Sequence, residues 1–151
     1  MKYDEKIFKI AFDEAKKSLS IGEVPVGVVI VKNGKIISTA HNLKEKKKCA
    51  LYHAELIAIK KATKKIHNWR LSECDMYVTL EPCEMCASAI KQSRISNIYS
   101  ALSNDDETIH NNVINILKAD KSNPQVNIEN DLFSSEELKL LKIFFNSQRN
   151  N

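Results

Sequence analysis

The sequence predicts an α/β fold, a mixed central sheet of about five strands with helices on both faces. Two observations carry the prediction. Val24–Val31 is a dense β-branched run joined to Lys35–Ala40 by Asn33-Gly34, the strongest short hairpin signal. Segments of helical and strand periodicity then alternate, in the order α-β-β-α-β-α-β-(α)-(β)-α, with short connections. A third observation sets the scale: 151 residues suit one domain, expected to span 1–151 and to bury about 70% of the surface of its unfolded chain.

In chain order, Ile7, Phe8, Ala11, Phe12, Ala15 and Leu19 recur at three- and four-residue steps and predict an amphipathic helix over Asp4–Leu19, with Gly22 just past its end. The hairpin follows, then a polar, lysine-rich connection from His41 to Tyr52. A helix starting near His53 carries Leu56, Ile57, Ile59 and Ala62 and ends near Lys65. Asp75–Thr79 reads as a short strand leading straight into a helix that runs to about Gln92, and Ile95–Ala101 as another strand. Ser103–Glu107 is a polar loop, Ile109–Leu117 a helix and Pro124–Ile128 a last strand. Ser134-Ser135-Glu136-Glu137 supplies capping residues for a final helix bearing Leu138, Leu141, Ile143, Phe144 and Phe145. Helix-linked strands after the hairpin are expected to run parallel. Ligands of such sheets gather beyond the strand carboxyl ends.

Hydrophobic content of 43% and charged content of 28% are those of a soluble globular chain. No segment approaches the roughly 20 apolar residues of a membrane span, and the charged N-terminus lacks the apolar core of a signal peptide. The expected compartment is the cytoplasm, where Cys49 and Cys74 would be isolated thiols. The net charge of +4 is compatible with an anionic partner without requiring one. Lys44, Lys46, Lys47 and Lys48 precede His53, and Lys60, Lys61, Lys64 and Lys65 follow it. These clusters read equally as a solvated face or as a nucleic-acid contact.

The chemistry concentrates in His53-Ala54-Glu55 and, 26 residues later, Pro82-Cys83-Glu84-Met85-Cys86. One at a time, these cysteines would be read as small buried residues and the histidine as a surface one. As a set they offer three good zinc donors, which leaves a fourth position for water, as catalytic zinc sites do. Cys83 and Cys86 stand at i and i+3, on one helical face. His53 and Glu55 would point about 200° apart inside a helix, so they can share a site only at a first turn. Pro82 also belongs at a helix start. Glu55 is then the base for the activated water.

H-x-E followed by P-C-x-x-C is the signature of zinc nucleobase deaminases. With Val24-Pro25-Val26-Gly27, His41-Asn42, Asn68-Trp69-Arg70-Leu71, Tyr77–Cys83 and Ser93-Arg94-Ile95, the chain resembles the bacterial tRNA-specific adenosine deaminases of the cytidine-deaminase-like superfamily. The resemblance covers Gly22 to Ile98. It implies a three-layer α/β/α sandwich, a homodimer, one zinc ion on His53, Cys83 and Cys86, and conversion of the wobble adenosine of a tRNA anticodon loop to inosine. It also implies that Glu55 shuttles the protons and that Asn42 and the backbone of Ala54 bind the base. Arg70, Arg94 and Arg149 are candidate phosphate contacts, and Arg70 and Arg94 are equally candidates for internal ion pairs.

The chain departs from the family pattern at Ser100–Glu107, where the acidic position falls on Ser103 and the usual loop lysine and glycines are missing. Lys48–Tyr52 departs as well. The altered loop keeps open a deaminase of a free base or nucleoside, of guanine or cytosine type. A zinc-stabilised RNA-binding domain without catalysis is the third reading, and it leaves Glu55 unexplained.

Overall fold

The hairpin turn is built as its sequence demands. In a computed structural model, which describes residues 2–119 and 124–149, Asn33 and Gly34 both take positive φ, 51° and 75°, between β1 (Gly27–Lys32) and β2 (Lys35–His41). Positive φ at both central positions is what a type I′ turn needs. The strands pair antiparallel, with an irregularity between Ile30 and Val31. β1 begins at Gly27, three residues later than Val24. Pro25 has no N–H to give a ladder, and the first sheet contacts are the exchange between Gly27 and Thr79.

The helices and remaining strands are α1 (Glu5–Ser20), α2 (Lys44–Lys47), α3 (Ala54–Ile66), β3 (Cys74–Val78), α4 (Glu84–Gln92), β4 (Asn97–Ser100), α5 (Glu107–Lys118), β5 (Asn127–Glu129) and α6 (Ser134–Arg149). The sheet order is β2-β1-β3-β4-β5. β3 pairs antiparallel with β1, and β4 and β5 follow in parallel. β2 through β5 therefore all run one way, as expected of helix-linked strands, and β1 alone opposes them.

Alternation along the strands separates two cores. Val28, Ile30, Met76, Val78 and Ile98 pack with Ala54, Ala58 and Ala62 of α3, Ala87 and Ile90 of α4, and Val113 and Leu117 of α5. Val29, Val31, Tyr77 and Tyr99 pack on the opposite side with Ile7, Phe8 and Ala11 of α1 and with Leu132 and Phe133 ahead of α6. Helices on both faces of one mixed sheet make the three-layer sandwich. Among the described residues no helix is long and apolar enough to cross a membrane.

Two further elements differ from the sequence reading. The connection His41–Tyr52 contains α2, because the buried Glu23 accepts from the amides of Glu45 (3.1 Å) and Lys46 (2.8 Å). A carboxylate from elsewhere in the chain thus does the work of an N-cap. The last strand is Asn127–Glu129, shifted from Pro124–Ile128 by its register with Asn97–Tyr99.

Candidate metal centre and active site

His53 and Cys83 occupy equivalent places. Each is the extended N-cap residue of its helix, His53 at φ −74°, ψ 145° before α3 and Cys83 at φ −72°, ψ 176° before α4. Helix entry lets His53 and Glu55 turn toward one point, as the spacing required, and Cys86 approaches from the first turn of α4. His53 Nδ1 lies 3.8 Å from Cys83 Sγ and 3.6 Å from Cys86 Sγ. The three donor atoms all lie within 4.8 Å of one another. Donors held at zinc–nitrogen and zinc–sulfur bond lengths in a tetrahedral arrangement stand roughly 3.6–3.8 Å apart. The triangle therefore fits that ion.

The electrostatics give the triangle one thiolate. The thiol of Cys86 hydrogen-bonds Cys83 and, with help from His53, holds the Cys83 thiol down at about 4 against the opposing effect of burial. Cys86 is correspondingly pushed up, as donor to that thiolate and by its own burial. The bond to Cys83 also raises the His53 imidazole. Glu55, only 4% exposed, is raised by burial to about 7, with Cys83, His53 and Cys86 all acting on its charge. A carboxyl poised near neutrality can both take and return a proton.

His53, Glu55 and Cys83 line a cavity of about 500 Å³ whose wall also includes Val24, Asn42, Lys44, Asn104 and, from α6, Phe144 and Gln148. Asn42 joins the site to its surroundings. Its Oδ1 accepts from the Ala54 amide at 2.8 Å, and its Nδ2 donates to the Val24 carbonyl at 3.1 Å. One amide hydrogen of Asn42 has no protein partner among these bonds.

Other candidates lie elsewhere. Arg70 and Arg94 flank the half-exposed Trp69, with guanidinium carbons 4.3 and 5.4 Å from its ring centroid. That cluster follows the C-terminal end of α3, away from His53 at its start. Of the lysines, Lys44 reaches the cavity wall, whereas Lys60 and Lys64 line a groove with Trp69. Arg149 is exposed at the end of α6. Cys49 and Cys74 are free thiols.

Sequence reasoning missed Glu23, Glu81, Phe144 and Gln148 at this cavity. A signal existed for Glu81, a lone acid inside the apolar approach to Pro82 and Cys83. The departing loop is firmly held: the amide and hydroxyl of Ser103 donate to Asp131 at 2.8 and 2.9 Å, and the Asn104 amide donates to Glu81 at 3.1 Å.

Comparison with known proteins gives concordant results. The family model described as MafB19-like deaminase matches residues 2–137. The tRNA-specific adenosine deaminase of Aquifex aeolicus is 44% identical, over 97% of each chain. That of Bacillus subtilis is 38% identical, over 99% of this chain and 92% of its own. A solved structure from work on A-to-I editing by tRNA:A34 deaminases at the wobble position superimposes with a TM-score of 0.82 at 27% identity. It covers 91% of this chain and 100% of that one.

Proposed function

We propose that this chain, which belongs to the MafB19-like deaminase family and to the tRNA-specific adenosine deaminases, hydrolyses the wobble adenosine of a tRNA anticodon to inosine, with release of ammonia. The observation that carries the reading is the His53–Cys83–Cys86 triangle, two of whose members, His53 and Cys83, share the wall of one cavity with the buried Glu55.

His53, Cys83 and Cys86 would hold zinc. When bound, zinc acts as a Lewis acid that makes water nucleophilic near neutral pH. Glu55 takes a proton from the attacking water and delivers it to the purine ring nitrogen. The oxygen adds to the amino-bearing ring carbon; Glu55 then takes the remaining proton of the added hydroxyl and passes it to the amine, which departs as ammonia, so one carboxyl serves in both directions. Asn42 and Ala54 act as a unit: the Asn42–Ala54 hydrogen bond fixes the amide, and its remaining hydrogen is available to an acceptor on the base edge. A single-stranded anticodon loop supplies an adenosine already free of its duplex.

The reading extends to one zinc-dependent deaminase domain over residues 1–151, acting as a cytoplasmic homodimer. The family resemblance supports the homodimer, and light scattering of the purified chain measures it. Identity to tRNA-specific relatives over nearly the whole chain favours RNA over a free base as substrate.

The test is incubation with an anticodon stem-loop carrying a wobble adenosine and, separately, with free guanine, cytosine and nucleosides. Inosine is read by mass spectrometry of the digested RNA, and ammonia by assay. Inosine from the stem-loop alone is expected. Ammonia from a free base without inosine in RNA would establish the second reading, and tight RNA binding with no deamination the third. Glu55→Gln is expected to keep stoichiometric metal and lose at least about 100-fold in turnover.

A further inference from the structure

Glu81 lies between β3 and Cys83, and its side chain is wholly buried. A buried carboxylate is costly unless it is hydrogen-bonded. Here Oε1 accepts from His110 Nδ1 at 2.7 Å and from Asn130 Nδ2 at 2.8 Å, and Oε2 accepts from the Asn104 amide at 3.1 Å. The Glu81 amide donates to the Leu102 carbonyl at 2.8 Å. The carboxylate's bonds tie the approach to Cys83 to the first turn of α5, to the segment after β5 and to the loop after β4, across 23 to 49 residues of sequence.

We propose that His110 is a positioning residue for the metal corner, acting through Glu81, an inference that rests on reading His53, Cys83 and Cys86 as metal ligands. Cys83 sits on extended backbone ahead of α4, so the segment leading into it, more than the helix, directs its sulfur. Glu81 is the anchored residue of that segment, two positions away. His110 makes the shortest of the bonds to Glu81 and is itself held by α5, whose first turn is capped by Asp106 through the amides of Thr108 and Ile109. The same carboxylate orders Asn104 in the cavity wall. One strut thus serves both the sulfur and the wall. Outer partners that orient metal ligands govern metal retention as well as activity.

The experiment compares His110→Ala, which deletes the donor, with His110→Asn, whose side-chain amide nitrogen replaces ring Nδ1 as donor. Each protein is loaded with one equivalent of zinc, and release to a chromogenic chelator is timed alongside deamination of the stem-loop. Release about tenfold faster from the alanine variant, restored to within about twofold by asparagine, is expected. Equal release from all three proteins, or asparagine no slower than alanine, would overturn the role. Should the alanine variant not fold, His110→Phe keeps a ring without the donor and is expected to behave the same way. An unvaried chain that holds zinc but deaminates nothing would sink the functional reading and leave His110 to be judged on release alone. Full deamination with unchanged release in every variant would sink the strut alone.

Discussion

Five buried glutamates, Glu14, Glu23, Glu55, Glu81 and Glu137, show how one residue type is put to different uses. For Glu14 burial works upward, but hydrogen bonds from Lys17 and His41 outweigh it and hold the carboxyl low. Glu23 and Glu81 accept backbone and side-chain donors from distant segments. Glu137 is poorly served: among the described residues neither oxygen has a partner within good hydrogen-bond geometry. Burial pushes it up to about 9, with the neighbouring Thr79 tempering the rise. Its folded value exceeds the ordinary 4.5, so between about pH 4.5 and 9 the native state binds more protons than the unfolded chain. Stability from this group is complete below that window and falls as pH rises through it, by at most about 1.4 kcal/mol per pH unit. Glu137→Gln, which cannot ionise, is expected to match the parent near pH 4.5 and to be increasingly the more stable protein toward pH 9. Thermal midpoints at pH 5, 7 and 9 check this, and a gap that does not widen with pH would show that Glu137 is not held neutral.

At the scale of elements, the contact between α1 and β1 is the tightest constraint. A Cβ on Gly27 would overlap the Ala11 carbonyl oxygen and lie 2.6 Å from the Ala15 nitrogen. These are backbone atoms that cannot rotate away. Gly27→Ala is therefore expected to cost at least about 3 kcal/mol, measured by denaturant unfolding, since overpacking already costs 1–3 kcal/mol where side chains can adjust. Most elements were legible because their signals are local: the Asn33-Gly34 turn, the spacing from Ile7 to Leu19, and Pro82 at a helix start. α2 was not, because its cap comes from Glu23, and neither was the register of β5, which only its pairing with β4 defines. The candidate site divides the same way. His53, Glu55, Cys83 and Cys86 announce themselves by spacing, whereas the partners of Asn42 and Glu81 do not.

For the molecule as a whole, metal and fold are expected to be coupled. An ion that binds only the native chain stabilises it by about 4 kcal/mol at a thousandfold excess over its dissociation constant. In a chain of this length that corresponds to roughly 10 °C in the melting midpoint. Treatment with a strong chelator is expected to lower the midpoint by that order, and added zinc to restore it, in a single calorimetric transition throughout. Two transitions would contradict one domain over 1–151, and an unchanged midpoint would contradict occupancy of the triangle.

By itself the sequence singled out the candidate donors and placed both donor pieces at helix entries, since each depends on residues a few positions apart. Tertiary structure decided what those donors lean on. The carboxylates of Glu23 and Glu81 and the amide of Asn42 take their roles from groups 12 to 49 residues away. No local pattern encodes such a partner, because a hydrogen bond depends on where two atoms meet in space.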